Sequence, residues 1–264
     1  MTIYTNFSSQ AYLGHLDTIM KRGSDEQARG LNFREIIGAK YTVPMSNPVP
    51  SVGERNLGFR FAAAEPWWIL SGKNLLSDIH PFGKMSPYSD DGYFMSGAYG
   101  PKIVDQLSYV CKTLADDKGS RQAVINIWRE RPGPSKDIPC TLSLQFLIRG
   151  GVIHCVAMMR SSDAYMGLPY DSILFSLTSA YILSILRHHY SCGRSLELGN
   201  LYLTLGSAHL YDKDFESVNK IVTAWDYELE DVNFNNIASL PPSQFLDRLY
   251  SCASDGSRSG ILEL

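Results

Sequence analysis

The stretch SKDIPCTLSLQFLIRGGVIHCVAMMRSSDAYMGLPYD, residues 135–171, decides the fold class of this chain. Its first half alternates between apolar and other residues, which is the pattern of a half-buried strand. The apolar members are Leu142, Leu144, Phe146 and Ile148. The R-G-G triplet that follows is typical of a tight turn, and the apolar run VIHCVAMMR after it predicts a second strand. The sequence therefore predicts a β-hairpin with a cysteine at its entrance.

Helical patterns flank this hairpin on both sides. Residues 170–189, YDSILFSLTSAYILSILRHH, are too long for a strand and apolar nearly all round, which predicts a buried helix. Further helices are expected over 9–22, over FRFAAAEPWWIL with a stop at Gly72, and over 103–115, 213–224 and 242–252. Strands gathered mid-chain between helices indicate an α+β fold. The length of 264 residues is consistent with one domain over residues 1–264.

Charge and cysteine usage exclude several function classes. The formal net charge is -3, and no basic stripe is present of the kind that binding to polymeric nucleic acid requires. We find no signal-like start and no run of about 18 apolar residues, so a cytoplasmic protein is expected, with no membrane partner. The five cysteines are scattered without C-x-x-C spacing, which predicts free thiols rather than a disulfide framework or a zinc site.

Cys140 allows two interpretations. It follows a proline at the entrance of a strand, outside any apolar stripe. A nucleophilic thiol at this position would need cationic or hydrogen-bonding neighbours that favour the thiolate. A lone cysteine, however, is more often a small buried hydrophobe. Its position in the sequence leaves both interpretations open.

Two arginines are candidates for binding an anion. Arg160 follows an apolar strand, where an unpaired guanidinium would be costly to bury, and Arg121 opens another strand-like run. Together they could form a forked phosphate grip. The alternatives are a salt bridge from Arg160 to an acid such as Asp163, and a simple surface position for Arg121.

Three further residues carry a functional and a structural interpretation each. Glu65, in AAAEPWW, is either a helix-start carboxylate beside Pro66 or a partly desolvated acid/base group with a raised pKa. His209 and Tyr211 follow an apolar run and a glycine, as strand-end binding residues often do, although a lone histidine is usually structural. Residues 77–100 have a loop-like composition, and a long loop in a compact domain is often functional.

Several motifs together resemble the thymidylate synthase family, and they occur in that family's order between residues 29 and 215. AEPWWILSG resembles its glutamate-containing helix, GAYG its V-Y-G segment, and GSRQAVI its S-R-R phosphate strand. PCTLSLQF resembles its nucleophile segment, RSSDAYMGLPYD its R-S-C-D segment, and LGSAHLY its G-D-x-H-L-Y segment. The resemblance implies that family's α+β fold, a single domain with a mixed β-sheet packed with helices, and a homodimer formed through a face of the sheet.

The resemblance also implies roles for individual residues. Cys140 would be the nucleophile that adds to pyrimidine C6, and Glu65 the general acid/base that orders water beside the ring. The implied nucleotide-binding residues are Arg29, Arg121, Arg160, Ser161, Asp163, Asp171, His209 and Tyr211, of which Arg121 would reach across the dimer interface. The implied folate-binding residues are Trp68, Tyr99 and Gly167. The implied cosubstrate is 5,10-methylenetetrahydrofolate, and no metal is expected.

One departure from the family pattern indicates which pyrimidine base the protein binds. Asp171 stands where the synthases carry a base-recognising asparagine, as it does in the cytidylate hydroxymethylases that the chain resembles. Cytosine reverses the hydrogen-bonding groups of uracil at N3 and C4, and a carboxyl group can accept from the amino group and, when protonated, donate to N3. A buried polar mismatch costs about 1–3 kcal/mol, so Asp171 is expected to favour cytidylate.

Other departures concern the chemistry after methylene transfer. Thr141 follows the nucleophile where synthases carry histidine, and Gln122 replaces the second arginine of S-R-R. Lys84, Met85 and Tyr88 lie where the synthases carry shielding tryptophans, which predicts a wetter pocket. The sequence thus predicts a hydroxymethyltransferase acting on CMP or dCMP. The alternatives are reductive methylation of C5, a uridylate hydroxymethylase, and an inactive homologue that only binds nucleotide.

Overall fold

A mixed β-sheet forms the centre of the computed structural model, which describes residues 2–3, 8–131, 133–228 and 232–264. Within these ranges the sheet has seven strands. They are β1 (Thr2–Ile3), β2 (Ser24–Ala28), β3 (Leu31–Pro44), β4 (Val124–Asn126), β5 (Thr141–Arg149), β6 (Val152–Asp163) and β7 (Glu197–Tyr211). The order is β1-β3-β7-β6-β5-β4, with β2 paired to the first half of β3. The β1–β3 and β6–β7 pairs are parallel and the others antiparallel, so the sheet is mixed as expected.

The described residues form eight helices, of which six lie where periodicity predicted them, with small differences at their ends, and two short ones, Leu76–Ile79 and Arg258–Leu262, were not predicted. They are α1 (Ser8–Arg22), α2 (Phe59–Leu70), α3 (Leu76–Ile79), α4 (Gly100–Asp116), α5 (Leu168–His189), α6 (Phe215–Ala224), α7 (Pro242–Asp255) and α8 (Arg258–Leu262). Gly72 has a φ of 72°, which is easily adopted by glycine, and the chain turns there after α2. The α+β class is confirmed. The expectation that strands cluster mid-chain was wrong, because β3 and β7, at opposite ends of the sequence, pair in the middle of the sheet.

The predicted hairpin is present as β5 and β6, with Gly150 and Gly151 both at positive φ in a two-residue turn. Leu144, Phe146 and Ile148 are buried on one face. Leu142 is only half-buried, because the register shifts between Thr141 and Ser143 and moves it off that face. The bulge lies immediately after Cys140, so it sets the direction in which the chain enters the sheet.

Helix α5 packs against one face of the sheet and forms the centre of the core. It is the one helix in the described part of the chain long and apolar enough to cross a membrane, but 78% of that window is buried inside the fold. Its polar residues Ser172, Ser176, Thr178 and Ser179 bond back to carbonyls four residues earlier. The apolar character of α5 is therefore that of a core helix, as predicted.

The opposite face of the sheet is open. Along β6 the buried residues are Ile153, Cys155, Ala157 and Met159, whereas the alternate positions Met158 and Arg160 are exposed. Ile37, on β3, is 80% exposed. One face of the sheet thus belongs to the core of this chain and the other is uncovered.

Candidate active site

Cys140 lies between Pro139 and the first residue of β5, half-buried. Its Sγ is 3.6 Å from the hydroxyl of Ser161 on β6, and its carbonyl accepts the backbone N–H of Arg160 at 2.8 Å. Burial raises the pKa of the Cys140 thiol, while the Arg160 guanidinium and the Ser161 hydroxyl oppose that rise. Cys140 therefore has a cation and a hydroxyl donor beside its thiol, which are the surroundings that a nucleophilic cysteine needs.

Arg160 holds the segment that carries the cysteine. Its Nε donates to the carbonyl of Pro139 at 2.9 Å, and its Nη2 donates to that of Ile138 at 3.0 Å. Its Nη1 donates to the hydroxyl of Ser161 at 3.1 Å. The suggested salt bridge to Asp163 is wrong, because Asp163 Oδ1 instead accepts the backbone N–H groups of Tyr165 and Met166. Arg160 is also exposed rather than buried, on the open face of the sheet.

A cavity of about 130 Å³ lies beside this segment. Its walls are Glu65, Trp68, Ile69, Met85, Met95, Gly97, Ala98, Tyr99, Asp137 and Asp171. One part of the wall is apolar and the other carries carboxyl groups from three different elements: α2, the segment before β5, and the first turn of α5. Such a cavity has room for part of a ligand together with a few water molecules.

Glu65 is the seventh residue of α2, so the helix-start interpretation was wrong. Burial, with a contribution from the nearby Asp171, raises the pKa of Glu65 from 4.5 to about 8. Burial, with a contribution from Asp163, likewise raises the pKa of Asp171 to about 7. Near pH 7 both groups can therefore carry a proton, which is the property required of a general acid.

Aromatic residues complete the cavity wall. The hydroxyl of Tyr99 accepts the backbone N–H of Thr141 at 3.3 Å and its hydroxyl at 3.1 Å, which links the loop before α4 to the residue after the nucleophile. Burial raises the pKa of Tyr99. The indole N–H of Trp68 donates to the carbonyl of Leu75 at 3.2 Å, so this side chain offers the cavity an apolar ring surface.

His209 and Tyr211 lie at the end of β7, as their position after an apolar run predicted. His209 pairs with Asp163 on β6 in the register of the sheet, and its ring centroid is 5.1 Å from that of Tyr211. Burial lowers the pKa of His209, although Asp163 opposes that shift. A neutral imidazole therefore lies at the strand end nearest Asp163.

Comparison with known proteins fits this arrangement. A protein-family model described as thymidylate synthase matches residues 10–247. The chain belongs to the thymidylate synthase family. It is 24% identical over 240 residues to a thymidylate synthase of Buchnera aphidicola subsp. Baizongia pistaciae (strain Bp), covering 86% of this chain and 88% of the relative. It is 27% identical over 230 residues to a deoxyuridylate hydroxymethyltransferase of Bacillus phage SP01, covering 78% of this chain and 58% of the relative.

Members of the thymidylate synthase family are one-carbon transferases that bind a nucleotide and use 5,10-methylenetetrahydrofolate as cosubstrate. The cavity suits a folate in one respect. The Trp68 ring and the Met85 side chain offer apolar surface against which a pterin ring can pack. The residues present therefore fit such a cosubstrate.

The chain does not bring all the predicted residues of a thymidylate synthase site together. Arg121 is exposed before β4, where its carbonyl accepts from the Gln145 side chain at 2.9 Å. Gln145 pairs with Val156, four residues along β6 from Arg160, or about 13 Å in an extended strand. The backbone positions of the two arginines are thus well separated along the sheet.

Of the predicted site residues, only Glu65, Trp68, Tyr99 and Asp171 line the cavity, and Arg29 and Gly167 are among those outside it. Arg29 is exposed at the tip of the β2–β3 hairpin, with a φ of 52°. Gly167 lies directly before α5 and donates its N–H to the Asp163 carbonyl at 3.0 Å. Neither residue contacts Cys140 in the described structure, so their assigned roles stay predictions.

Asp137 is the ionisable residue of the cavity wall that sequence reasoning missed. It lies three residues before Cys140 in a polar loop, and nothing in the spacing distinguishes it from solvated acids such as Asp90. Only its contact with Gly97, which is 40 residues away in the chain, places it in the cavity. Its closeness in sequence to the nucleophile is the one signal that could have identified it.

Proposed function

We propose that this protein is a cytidylate 5-hydroxymethyltransferase, which transfers a one-carbon unit to C5 of CMP or dCMP and completes it with water. Residues 1–264 would form one cytoplasmic catalytic domain that works as a homodimer and needs no metal. The observation that carries the proposal is that Glu65 and Asp171 line one pocket and that Asp171 also acts electrostatically on the neighbouring Cys140 thiol. A carboxyl group thus stands at the position expected to recognise the base.

The chemistry starts at Cys140. Its thiolate adds to C6 of the pyrimidine, which makes C5 nucleophilic, and the neighbouring Arg160 and Ser161 stabilise the thiolate form. The folate supplies a one-carbon unit at the oxidation level of formaldehyde. Glu65 moves the protons of the addition and elimination steps, because its raised pKa leaves it partly protonated near neutral pH. Release of Cys140 from C6 restores the aromatic base.

Asp171 supports the choice of cytidylate. A protonated carboxyl group donates to N3 and accepts from the amino group of cytosine at the same time, and the pKa of Asp171, about 7, lets that form be present at neutral pH. We find no hydrogen bond to its carboxyl group from the described residues, so both oxygens are available to a base. Loss of such a buried pair costs about 1–3 kcal/mol.

The remaining predicted residues take supporting roles in this proposal. Arg160 uses three of its N–H groups on the protein, so the others are available for a 5′-phosphate. Ser161 assists at the phosphate. Arg29 and an Arg121 from a second copy would complete the phosphate site, His209 and Tyr211 would contact the sugar, and Asp163 would support them. Trp68, Tyr99 and Gly167 would lie against the folate.

A uridylate hydroxymethyltransferase is the second candidate, favoured by the phage relative, whose name specifies deoxyuridylate. The third is reductive C5 methylation, favoured by the Buchnera relative. An inactive nucleotide-binding homologue would not require Glu65, Cys140 and Arg160 to be present together, as they are here.

Mass spectrometry of reactions with methylenetetrahydrofolate and, separately, CMP, dCMP, UMP and dUMP tests the proposal. A cytidylate product heavier by one CH₂O unit is expected, without formation of dihydrofolate. Gain of CH₂ with dihydrofolate would establish methylation instead, and reaction with uridylates alone would contradict the role of Asp171. Nucleotide binding without any product would establish the inactive homologue.

A further inference from the structure

Asp137 brings a third carboxyl group into the cavity beside Cys140. It lies between the polar loop after β4 and the nucleophile, and it is half-buried. Its Oδ2 accepts the backbone N–H of Gly97 at 2.7 Å. A Cβ at residue 97 would lie 2.5 Å from the Asp137 carbonyl oxygen and 2.7 Å from its Oδ1. The absence of a side chain at residue 97 therefore lets this carboxyl group approach the cavity.

The surroundings of Asp137 differ from those of the other two carboxyl groups. Burial raises the pKa of Asp137 and the nearby Asp90 adds to the rise, but the Gly97 N–H and the Arg129 guanidinium both favour the carboxylate. Glu65 has no such opposing neighbour, since burial and Asp171 both raise its pKa. Of these two acids, Asp137 is thus the better placed to remain ionised and accept a proton.

The free oxygen of Asp137 suits a small donor. Oδ1 receives no hydrogen bond from the described residues, whereas Oδ2 is occupied by Gly97. The cavity of about 130 Å³ holds roughly four waters at their liquid volume of about 30 Å³ each. A water at Oδ1 would lie in the cavity that also contains Glu65 and Asp171, close to the nucleophile.

We propose that Asp137 holds and deprotonates the water that completes hydroxymethylation, an inference that rests on the function proposed above. When the nucleotide carries a C5 exocyclic methylene and is bonded through C6 to the Cys140 sulfur, the water oxygen forms a bond to the methylene carbon. The electron pair of the exocyclic double bond shifts to make the C5–C6 single bond a C5=C6 double bond as the C6–S bond breaks, and Cys140 leaves as thiolate. The water proton passes to Asp137. The step is redox-neutral and needs no further reactant.

Asp137→Asn tests the role because it keeps an acceptor for the Gly97 N–H and removes the base. The matched control is Asp90→Asn. Asp90 connects the same two segments, accepting the Lys136 N–H at 2.8 Å and the Ser135 hydroxyl at 2.6 Å, but it is exposed and outside the cavity wall. Both variants are assayed with C5-tritiated CMP or dCMP, for tritium release and for hydroxymethyl product, with and without an added small thiol that competes with water.

In Asp137→Asn we expect one equivalent of tritium per site at nearly the wild-type rate, hydroxymethyl product slowed roughly 100-fold, and a C5 thioether when thiol is present. Asp90→Asn should keep the wild-type ratio of tritium release to product. In a second variant, Asp137→Ala, added formate should restore product formation as the formate concentration rises.

Four results would overturn the assignment. Equal behaviour of the two variants would show that Asp137 only connects the loops. Equal loss of tritium release and product would place it before the water step. A changed preference between cytidylate and uridylate at an unchanged ratio would make it a base-recognition residue. A wild type that yields a methylated product refutes the proposed function itself, and is seen before any variant is measured.

Discussion

The pKa values of Glu65 and Asp171 are shifted by burial and not by neighbouring charges of opposite sign. In each case burial is the largest cause of the raised pKa, and a second carboxyl group adds to it. A buried carboxyl group without a cation keeps its proton at the cost of folding free energy. Two acids that can carry protons at neutral pH beside a thiol therefore indicate a site built for proton transfer at some expense of stability.

Replacing Glu65 with glutamine should stabilise the protein in a pH-dependent way. The folded protein keeps the Glu65 proton up to a pKa of about 8, whereas the unfolded chain releases it near the ordinary pKa of 4.5. Wild-type stability should therefore fall as the pH rises through that window, and the variant should not share this loss. We expect a gain on the order of 4 kcal/mol at pH 8 and almost none at pH 4, measured by urea denaturation. Equal gains at both pH values would contradict the assignment.

Asp171→Asn should change the base preference without abolishing the chemistry. An amide fixed with its N–H₂ towards C4 complements uracil, and a mismatch at a buried polar group costs about 1–3 kcal/mol. We expect kcat/KM for uridylate relative to cytidylate to rise by roughly tenfold or more. Glu65→Gln is the control, because it should lower turnover of both bases to the same extent. An unchanged ratio in Asp171→Asn would exclude it from base recognition.

At the scale of elements, the sequence predicted those whose burial follows a simple period. The helix α4 and the β5–β6 hairpin were predicted because one face of each is buried in the chain's own core. β2 was not predicted, since all five of its residues are exposed and it exists through pairing with β3. The first half of β3 is likewise poorly buried. Strand pairing between distant segments, which also assembles the cavity, leaves no local period to detect.

The turn between β5 and β6 offers a test at this scale. Gly150 has a φ of 58°, and a Cβ there would meet nothing within 4 Å, so a substitution would cost backbone strain alone. Gly150→Val should cost about 1–2 kcal/mol, while Gly150→Asn should cost only a few tenths, because asparagine tolerates this conformation. Urea midpoints of the two variants measure the difference, and equal midpoints would show that the turn rearranges.

At the scale of the whole molecule, one face of the sheet is not covered by any other part of the described chain. Its exposed residues include Met158, Arg160 and Ile37, on strands whose other face is core. Arg121 lies away from Cys140 of its own chain. Pairing of two copies through this face would cover its apolar side chains and could supply the missing arginine, which is the homodimer that the family resemblance predicts.

Mixing two inactive variants tests whether Arg121 acts across such a dimer. A heterodimer of Cys140→Ser and Arg121→Ala would contain one complete site if the arginine comes from the second copy. Refolding the variants together should then restore about a quarter of the wild-type activity, since half of the randomly formed dimers are mixed. The control pair, Cys140→Ser and Glu65→Ala, should restore none, because both groups lie in one chain. No recovery in the first pair would place Arg121 outside the site.

The contact between Gly97 and Asp137 also bears on how this protein can change over generations. Any side chain at residue 97 collides with the aspartate carboxyl and carbonyl oxygens, and any shortening at residue 137 leaves the Gly97 amide without its acceptor. A substitution at either position alone should therefore destabilise this contact. In a mutational library the two positions should therefore be randomised as a pair, and lineages that lose one should lose the other soon afterwards.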